Sequence, residues 1–355
     1  VVEPPDLWEK RIAPSFKDRA PRLVRGETGD EWYVEGNVKV GSIGANIQAG
    51  DRFESPGELS LEARYEDAPL GGMDPHARIK DLDLDTVAGD VVYPSVMLSM
   101  HTAVQDSALF SAICQAYNDW LADYCSAYPD RIKGGALINL DDIKEGTREL
   151  ERTAKMGLVG AMIPTIPAEL QYDHPDYEPF WAVAEDLGMP LSLHIATHRR
   201  MHGLATISRF TDREGDRWGM TANIGLTNRD VPVRESIAAM IFSGVFERHS
   251  KLMVGALEYE VSWAPYFINE MDRVYKETAI GVRDRHIKGD ALPSDFFRQN
   301  IFISFQEDEL GMKLRHYIGV DNLLWGSDYP HQESTFPRSQ QILEEILVGC
   351  TEEEK

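Results

Sequence analysis

The sequence predicts a distorted (β/α)8 barrel with an insertion near the N-terminus, and three observations carry that prediction. From Gly89 onward, short β-rich apolar runs alternate with longer stretches of helical period. Apolar strands that alternate with helices imply parallel strands covered by helices. No GxGxxG follows an early strand, so a doubly wound dinucleotide sheet has no support. Seven strands are legible where a barrel needs eight. The chain opens on VVEPPDLW, which reads like the middle of something, and a first strand is expected just before residue 1.

The strands are expected at DVVYPS (90–95), IKGGALINL (132–140), LVGAMIP (158–164), PLSLHI (190–195), KLMVGALEY (251–259), IFISF (301–305) and LLWGSD (323–328). Helices fill the intervals. DSALFSAICQAYNDWLADYCSAY follows the first strand. DDIKEGTRELERTAKMG follows the second, with acidic residues in its first turn and Gly157 to stop it. DYEPFWAVAEDLG, VRESIAAMIFSGVFERH, WAPYFINEMDRVYKET and EDELGMKLRHYIG continue the series. Residues 20–80, rich in Gly and β-branched or aromatic residues, read as an insertion on a single domain spanning 1–355. A long loop at 197–230 reads as a functional lid. The stretch 282–295 reads as an exposed connection.

Composition removes several classes of function. With 355 residues and 43% hydrophobic content, the chain can bury a large core. Its formal charge of −23 repels phosphate backbones and anionic lipid, so nucleic acid and membrane partners are not expected. No apolar run approaches the roughly 20 residues of a membrane span. The three cysteines share no CxxC spacing, which argues against a disulfide framework and for a reducing cytoplasm.

Barrel chemistry gathers at the C-terminal ends of strands. Those ends carry His194, with His198 and His202 following. They also carry Glu258 and Glu260, Asp328 with His331 beyond it, and His101. Taken singly, His194 in LSLHI reads as a core histidine and Asp328 in LLWGSDYPH as a turn cap. Together, imidazole and carboxylate at matching strand ends suit a divalent metal, with zinc first and iron or manganese as alternatives. Such a metal turns bound water into hydroxide near neutral pH. Arg199 and Arg200 could hold an anionic group. The 197–230 loop mixes Trp218 and other apolar residues with arginines, and is expected to wall the pocket together with the insertion.

LSLHI, the preceding DYEPFWAVAEDLGMP, GALEYEVSWAPYFINEMDR and LLWGSDYPH, in this order, resemble the amidohydrolase superfamily, in the branch often called amidohydrolase family 2. The resemblance spans roughly Asp74 to Ile346 and the opening VVEPPDLW. It implies that an Asp-x-His or His-x-His pair on the first strand lies outside the sequence. It also implies that His194 is a metal ligand and that Asp328 is both ligand and proton acceptor. The strand-six position, often His in the family's decarboxylases, is Glu258. Glu3, His198, Glu258 and His331 are the further candidate ligands. A modified lysine after strand four is not available, because LVGAMIPTIP holds none.

The resulting expectation is a metal-dependent hydrolase that opens an amide, ester or lactone of a small organic acid. His194, Glu258 and Asp328 would be catalytic, and Arg199, Arg200, His198 and Trp218 would hold substrate. The alternatives are non-oxidative decarboxylation of an aromatic or unsaturated acid, oxygenation at a dinuclear iron or mixed-metal centre, and a non-catalytic subunit. A homodimer or larger assembly is expected, with a hetero-oligomer left open.

Overall fold

The computed structural model of the chain describes residues 1–200, 223–278 and 286–355. Residues 22–42 form three antiparallel strands, β1 (Arg22–Arg25), β2 (Asp30–Val34) and β3 (Val38–Ser42). Along β2 the side chains of Asp30, Trp32 and Val34 are buried and those between them half-buried, the two-residue period of a strand with one covered face. Trp32 meets Trp8 edge to face at 5.0 Å, and its indole N–H donates to Tyr65 Oη. The small sheet is thereby tied to the helix Leu7–Arg11.

From Asp90 onward strand and helix alternate. β4 (Asp90–Val92), β5 (Ile132–Leu137), β6 (Gly160–Ile163), β7 (Leu191–His194), β8 (Val254–Leu257), β9 (Ile301–Phe305) and β10 (Leu323–Trp325) pair in parallel, in chain order. Each of the seven expected runs contributes one of these strands. Six of the strands are shorter than their runs, because the last residues of several runs leave the ladder to enter the mouth, and β9 matches its run. Burial is complete along β6, β7 and β8, as a sheet covered on both faces requires.

The sheet is curled like a barrel. Among the described residues no strand pairs with the outer edge of β4 or β10, yet the two edges meet through side chains. Ser95, just past β4, lies 2.8 Å from His331, past β10. The Arg78 guanidinium stacks over the Tyr329 ring at 4.0 Å. Two glycines make the interior possible. A Cβ on Gly255 would sit 2.2 Å from the Phe302 ring, and one on Gly135 would sit 3.0 Å from the Tyr93 ring. Tyr93 reaches across to Ser192 on β7, at 2.9 Å.

The helices depart from expectation in instructive ways. Ser107–Ser126 is capped by Asp106, whose carboxylate accepts from Ala108 and Leu109. The stretch 233–249 is two helices, Val231–Phe242 and Val245–Arg248, because Gly244 adopts φ +76. The stretch 307–319 likewise divides, into Glu309–Lys313 and Arg315–Ile318. Within the expected connection 282–295 a helix begins at Pro293 and runs to Asn300, with proline in its first turn.

Candidate active site

The mouth of the barrel is built from left-handed backbone. Ala196, Glu258, Glu260 and Asp328 all have positive φ (65, 67, 56 and 56°), and each lies just past β7, β8 or β10. Non-glycine residues enter this region at a cost, and such residues cluster where a side chain must be aimed. The Glu258 N–H is received by Ser304 Oγ on β9, which fixes the turn that presents its carboxylate.

Three side chains converge there. His194 Nε2 lies 3.0 Å from Glu258 Oε2. Its Nδ1 lies 3.1 Å from the Ile195 carbonyl, which can only accept, so Nδ1 carries the proton and Nε2 faces the cavity. Asp328 Oδ1 lies 3.0 Å from His331 Nδ1. The other oxygen, Asp328 Oδ2, is buried with no hydrogen-bond partner among the described residues. Ser95 Oγ donates to the Val1 carbonyl and so meets His331 Nε2 with a lone pair. Both ring nitrogens of His331 therefore donate.

The charges follow. Burial works against a charged His331, but the adjacent Asp328 carboxylate outweighs it and raises the histidine to about 9. Burial lifts Asp328 above the usual carboxylate range, although His331 pulls the other way. His194 is buried too, yet Glu258 holds it above the ordinary histidine value. Glu258 is lowered, since His194 and His331 together outweigh its burial. Near neutral pH, one proton is shared by the His331–Asp328 pair.

Ser95, His331 and Asp328 stand in a row like a nucleophilic triad, but the chemistry does not fit. The serine proton is committed to Val1, and the Val96 and Met97 N–H groups beyond it are both received by the Glu3 carboxylate. Neither of these N–H groups is left for an oxyanion.

These groups line a cavity of about 790 Å³ that runs between β4 and β10 and includes Tyr93, Ser192, Arg229, Leu257, Ser304 and Gln306. Glu258, Asp328, His331 and Glu333 can bring one ligand atom each to within 4.8 Å of the others. His194 lies outside that group of four, but its Nε2 is 3.0 Å from Glu258 Oε2, so imidazole and carboxylate donors of the kind a divalent cation takes lie side by side. Among the described residues nothing meets Asp328 Oδ2, and a buried oxygen without a partner is costly unless a cation or donor reaches it.

Sequence matching now decides the family, because the amidohydrolase pattern covers residues 69–355. The chain belongs to the amidohydrolase family. A gamma-resorcylate decarboxylase from Rhizobium sp. (strain MTP-10005) is 26% identical over 297 residues, spanning 78% of this chain and 82% of its own. An amidohydrolase from Mycobacterium avium subsp. paratuberculosis K-10 superposes with a TM-score of 0.78 at 20% identity, over 99% of this chain and 93% of that one. A dihydroxybenzoic acid decarboxylase from Polaromonas sp. JS666, solved with manganese and 2-nitroresorcinol, superposes with a TM-score of 0.63 at 19% identity, over 87% and 90%. The fold expectation is met, and the decarboxylase relatives favour the alternative reaction over hydrolysis.

Several expected site residues of this family member do other work. Glu3, expected as a metal ligand, is fully buried and caps the helix Val96–Ala103 through the Val96 and Met97 N–H groups. Arg199, expected to bind substrate, is buried under Phe110. It donates to both Asp141 oxygens and to the His101 and Val104 carbonyls, which leaves its fork no room for a ligand. Arg200 is exposed and, like His198, does not line the cavity; the His198 backbone bridges to Ile166 instead. Trp218 and much of the 197–230 loop lie outside the described residues. His331 serves here as the partner that holds Asp328, since both its nitrogens carry protons. The insertion reaches the site from behind: Asn46 lies 3.4 Å from His331 Nε2, and the Ala45 carbonyl receives the Gln332 N–H.

Sequence reasoning missed Ser95, Arg229, Ser304 and Glu333. Ser95 ends the 90–95 run, so the strand-end rule that found His194 would have found it too. Glu333 lies two residues past His331. Arg229 gave no signal, because nothing local distinguishes it from the other arginines of its loop.

Proposed function

We propose that the protein is a metal-dependent, non-oxidative decarboxylase of a small aromatic acid. The observation that carries this reading is the Asp328–His331 pair. It holds a proton and, among the described residues, leaves one carboxylate oxygen without a partner beside the cavity. The relatedness to gamma-resorcylate decarboxylase supports it.

The cation would be held by His194 Nε2, Asp328 and Glu258. Bound there, it would supply Lewis-acid polarisation of the substrate oxygens. Zinc, manganese and iron all suit such a mixed imidazole and carboxylate set. The chain's own residues do the rest. Tyr93, Leu257 and Phe302 line the cavity and would offer the ring apolar surface. The carbon–carboxylate bond breaks, and its electron pair stays on the ring carbon as CO2 leaves. The proton of the Asp328–His331 pair then goes to that carbon. A group poised near the working pH suits such a transfer. Glu258 keeps the His194 imidazole aligned.

The test is to incubate metal-replete protein with 2,6-dihydroxybenzoate and follow resorcinol and CO2. Formation of both, lost after chelation and restored by zinc or manganese, is the expected result. Hydrolysis of esters or lactones without any decarboxylation would overturn the reading in favour of a hydrolase.

One observation favours a second reading. Glu258, Asp328 and Glu333 offer more carboxylate than a single cation needs, and Glu258 stands where decarboxylases of the family often carry His. That surplus suits a dinuclear iron or mixed-metal oxygenase. Elemental analysis separates the two readings, with one metal per chain for the decarboxylase and two for the oxygenase.

A further inference from the structure

We infer that Arg229 is the residue that anchors the substrate's carboxylate; this rests on the acid-binding reading of the same cavity. Among the described residues the cavity is lined by three arginines. Arg78 is committed to Asp90, with its plane on Tyr329. Arg131 donates to Asp83 and to the Ala88 and Val87 carbonyls at the opposite end of the strands. Arg229 lies in the turn before the helix Val231–Phe242, at the mouth, and is about one third exposed.

Its one ion pair among the described residues is loose, at 3.9 Å from Nη2 to Glu260 Oε1. Glu260 gives its other oxygen to the Gln306 N–H, which holds that carboxylate in place rather than letting it close on the guanidinium. Glu260 itself sits at φ +56, aimed by the turn after β8. One edge of the guanidinium is thus steadied and most of its five donors remain for a ligand. A planar carboxylate takes two of them in parallel.

The local charge balance points the same way. The mouth carries Glu258, Glu260, Asp328 and Glu333, and its two histidines are already paired with Glu258 and Asp328. An organic anion entering this acidic rim needs a cation not already neutralised; Lys133 also lines the cavity but sits near the start of β5, away from the mouth, which leaves Arg229 as the described side chain at the mouth that meets the condition. It replaces Arg199 and Arg200 in that role.

The test is calorimetric titration of the metal-replete full chain with two probes of one ring, 2,6-dihydroxybenzoate and resorcinol. The second lacks the carboxylate. Arg229→Met is expected to weaken the acid about 10- to 100-fold and to leave resorcinol within about twofold, as loss of a charged bidentate contact requires. Arg229→Lys keeps the charge without the fork and is expected to fall between. Unchanged acid binding in Arg229→Met, or an equal loss of both probes, overturns the assignment while the acid-binding reading stands. Failure of the unaltered protein to bind the acid overturns both.

Discussion

His194 Nε2 lies 3.0 Å from Glu258 Oε2, while its Nδ1–H is committed to the Ile195 carbonyl. The Nδ1–H bond fixes the ring, so in the neutral form Nε2 presents its lone pair on the Glu258 side of the cavity. A hydrogen bond that fixes tautomer and ring plane is the usual support of a ligating histidine. Glu258→Gln keeps the volume and removes the charge. Metal content after dialysis is expected to fall from stoichiometric to a minor fraction, measured by elemental analysis, with the helical signal unchanged. Full metal retention would make Glu258 a structural partner only.

Asp328→Asn separates charge from packing in the same way. The amide oxygen can still accept from His331, so folding loses little. The proton store is gone, because an amide neither holds nor gives one at neutral pH. Turnover of 2,6-dihydroxybenzoate is expected to drop at least about 10²–10⁴-fold, the range of general acid catalysis. The midpoint of thermal unfolding should stay within a few degrees. Activity near the unaltered level would remove Asp328 from the chemistry.

The strands, their parallel order and the placement of His194, Glu258 and Asp328 at one mouth were legible because burial on both faces leaves an unbroken apolar run, and a run has a visible end. Roles that depend on what a side chain meets across the fold were not legible. Glu3 and Glu258 are both acids near strand ends. Only their partners, two backbone N–H groups for one and an imidazole for the other, tell cap from site. Arg199 looked free because Asp141 lies 58 residues away in sequence. The left-handed turns at Glu258 and Asp328 lack the glycine that would have announced them.

A cluster remote from the site is expected to contribute to the acid lability. His249 bridges Glu185 at 3.2 Å and Glu178 at 3.1 Å, joining two helices. Glu178 is lowered chiefly by its bond to Arg248, and Glu185 chiefly by the Lys251 N–H. A lowered carboxylate contributes stability that is fully present above its unfolded value of about 4.3 and is lost as pH falls through its folded value. Asp328 and Glu260 are raised and act in the opposite sense, so the variant comparison isolates the bridge. Thermal midpoints measured from pH 7 down to 3 should fall less steeply in Glu178→Gln/Glu185→Gln than in the unaltered chain. Parallel curves would show that the bridge contributes nothing.

Inside the barrel, Gly255 leaves the space that the Phe302 ring fills, at 2.2 Å from where a Cβ would be. Gly255→Ala forces the ring or the strand to move. A cost of about 1–3 kcal/mol is expected from denaturant unfolding, as for other overpacked cores. Phe302→Leu in the same background should recover part of it. No loss in the single variant would mean that the interior has slack.

Glu3 provides the sharpest contrast between ligand and cap. Its carboxylate receives the Val96 and Met97 N–H groups, the first two of a buried helix that would otherwise have no acceptor. The cap is retained although burial raises the pKa of Glu3, which marks the cost of keeping a charge there. Glu3→Ala strands both N–H groups in an apolar setting and is expected to cost about 2 kcal/mol or more in denaturant unfolding. Glu3→Gln offers one good acceptor and should cost less. Metal content should stay unchanged in both variants, since both oxygens are engaged by backbone N–H groups and Glu3 does not line the cavity. A variant that keeps its stability and loses its metal would reverse the argument and return Glu3 to the site.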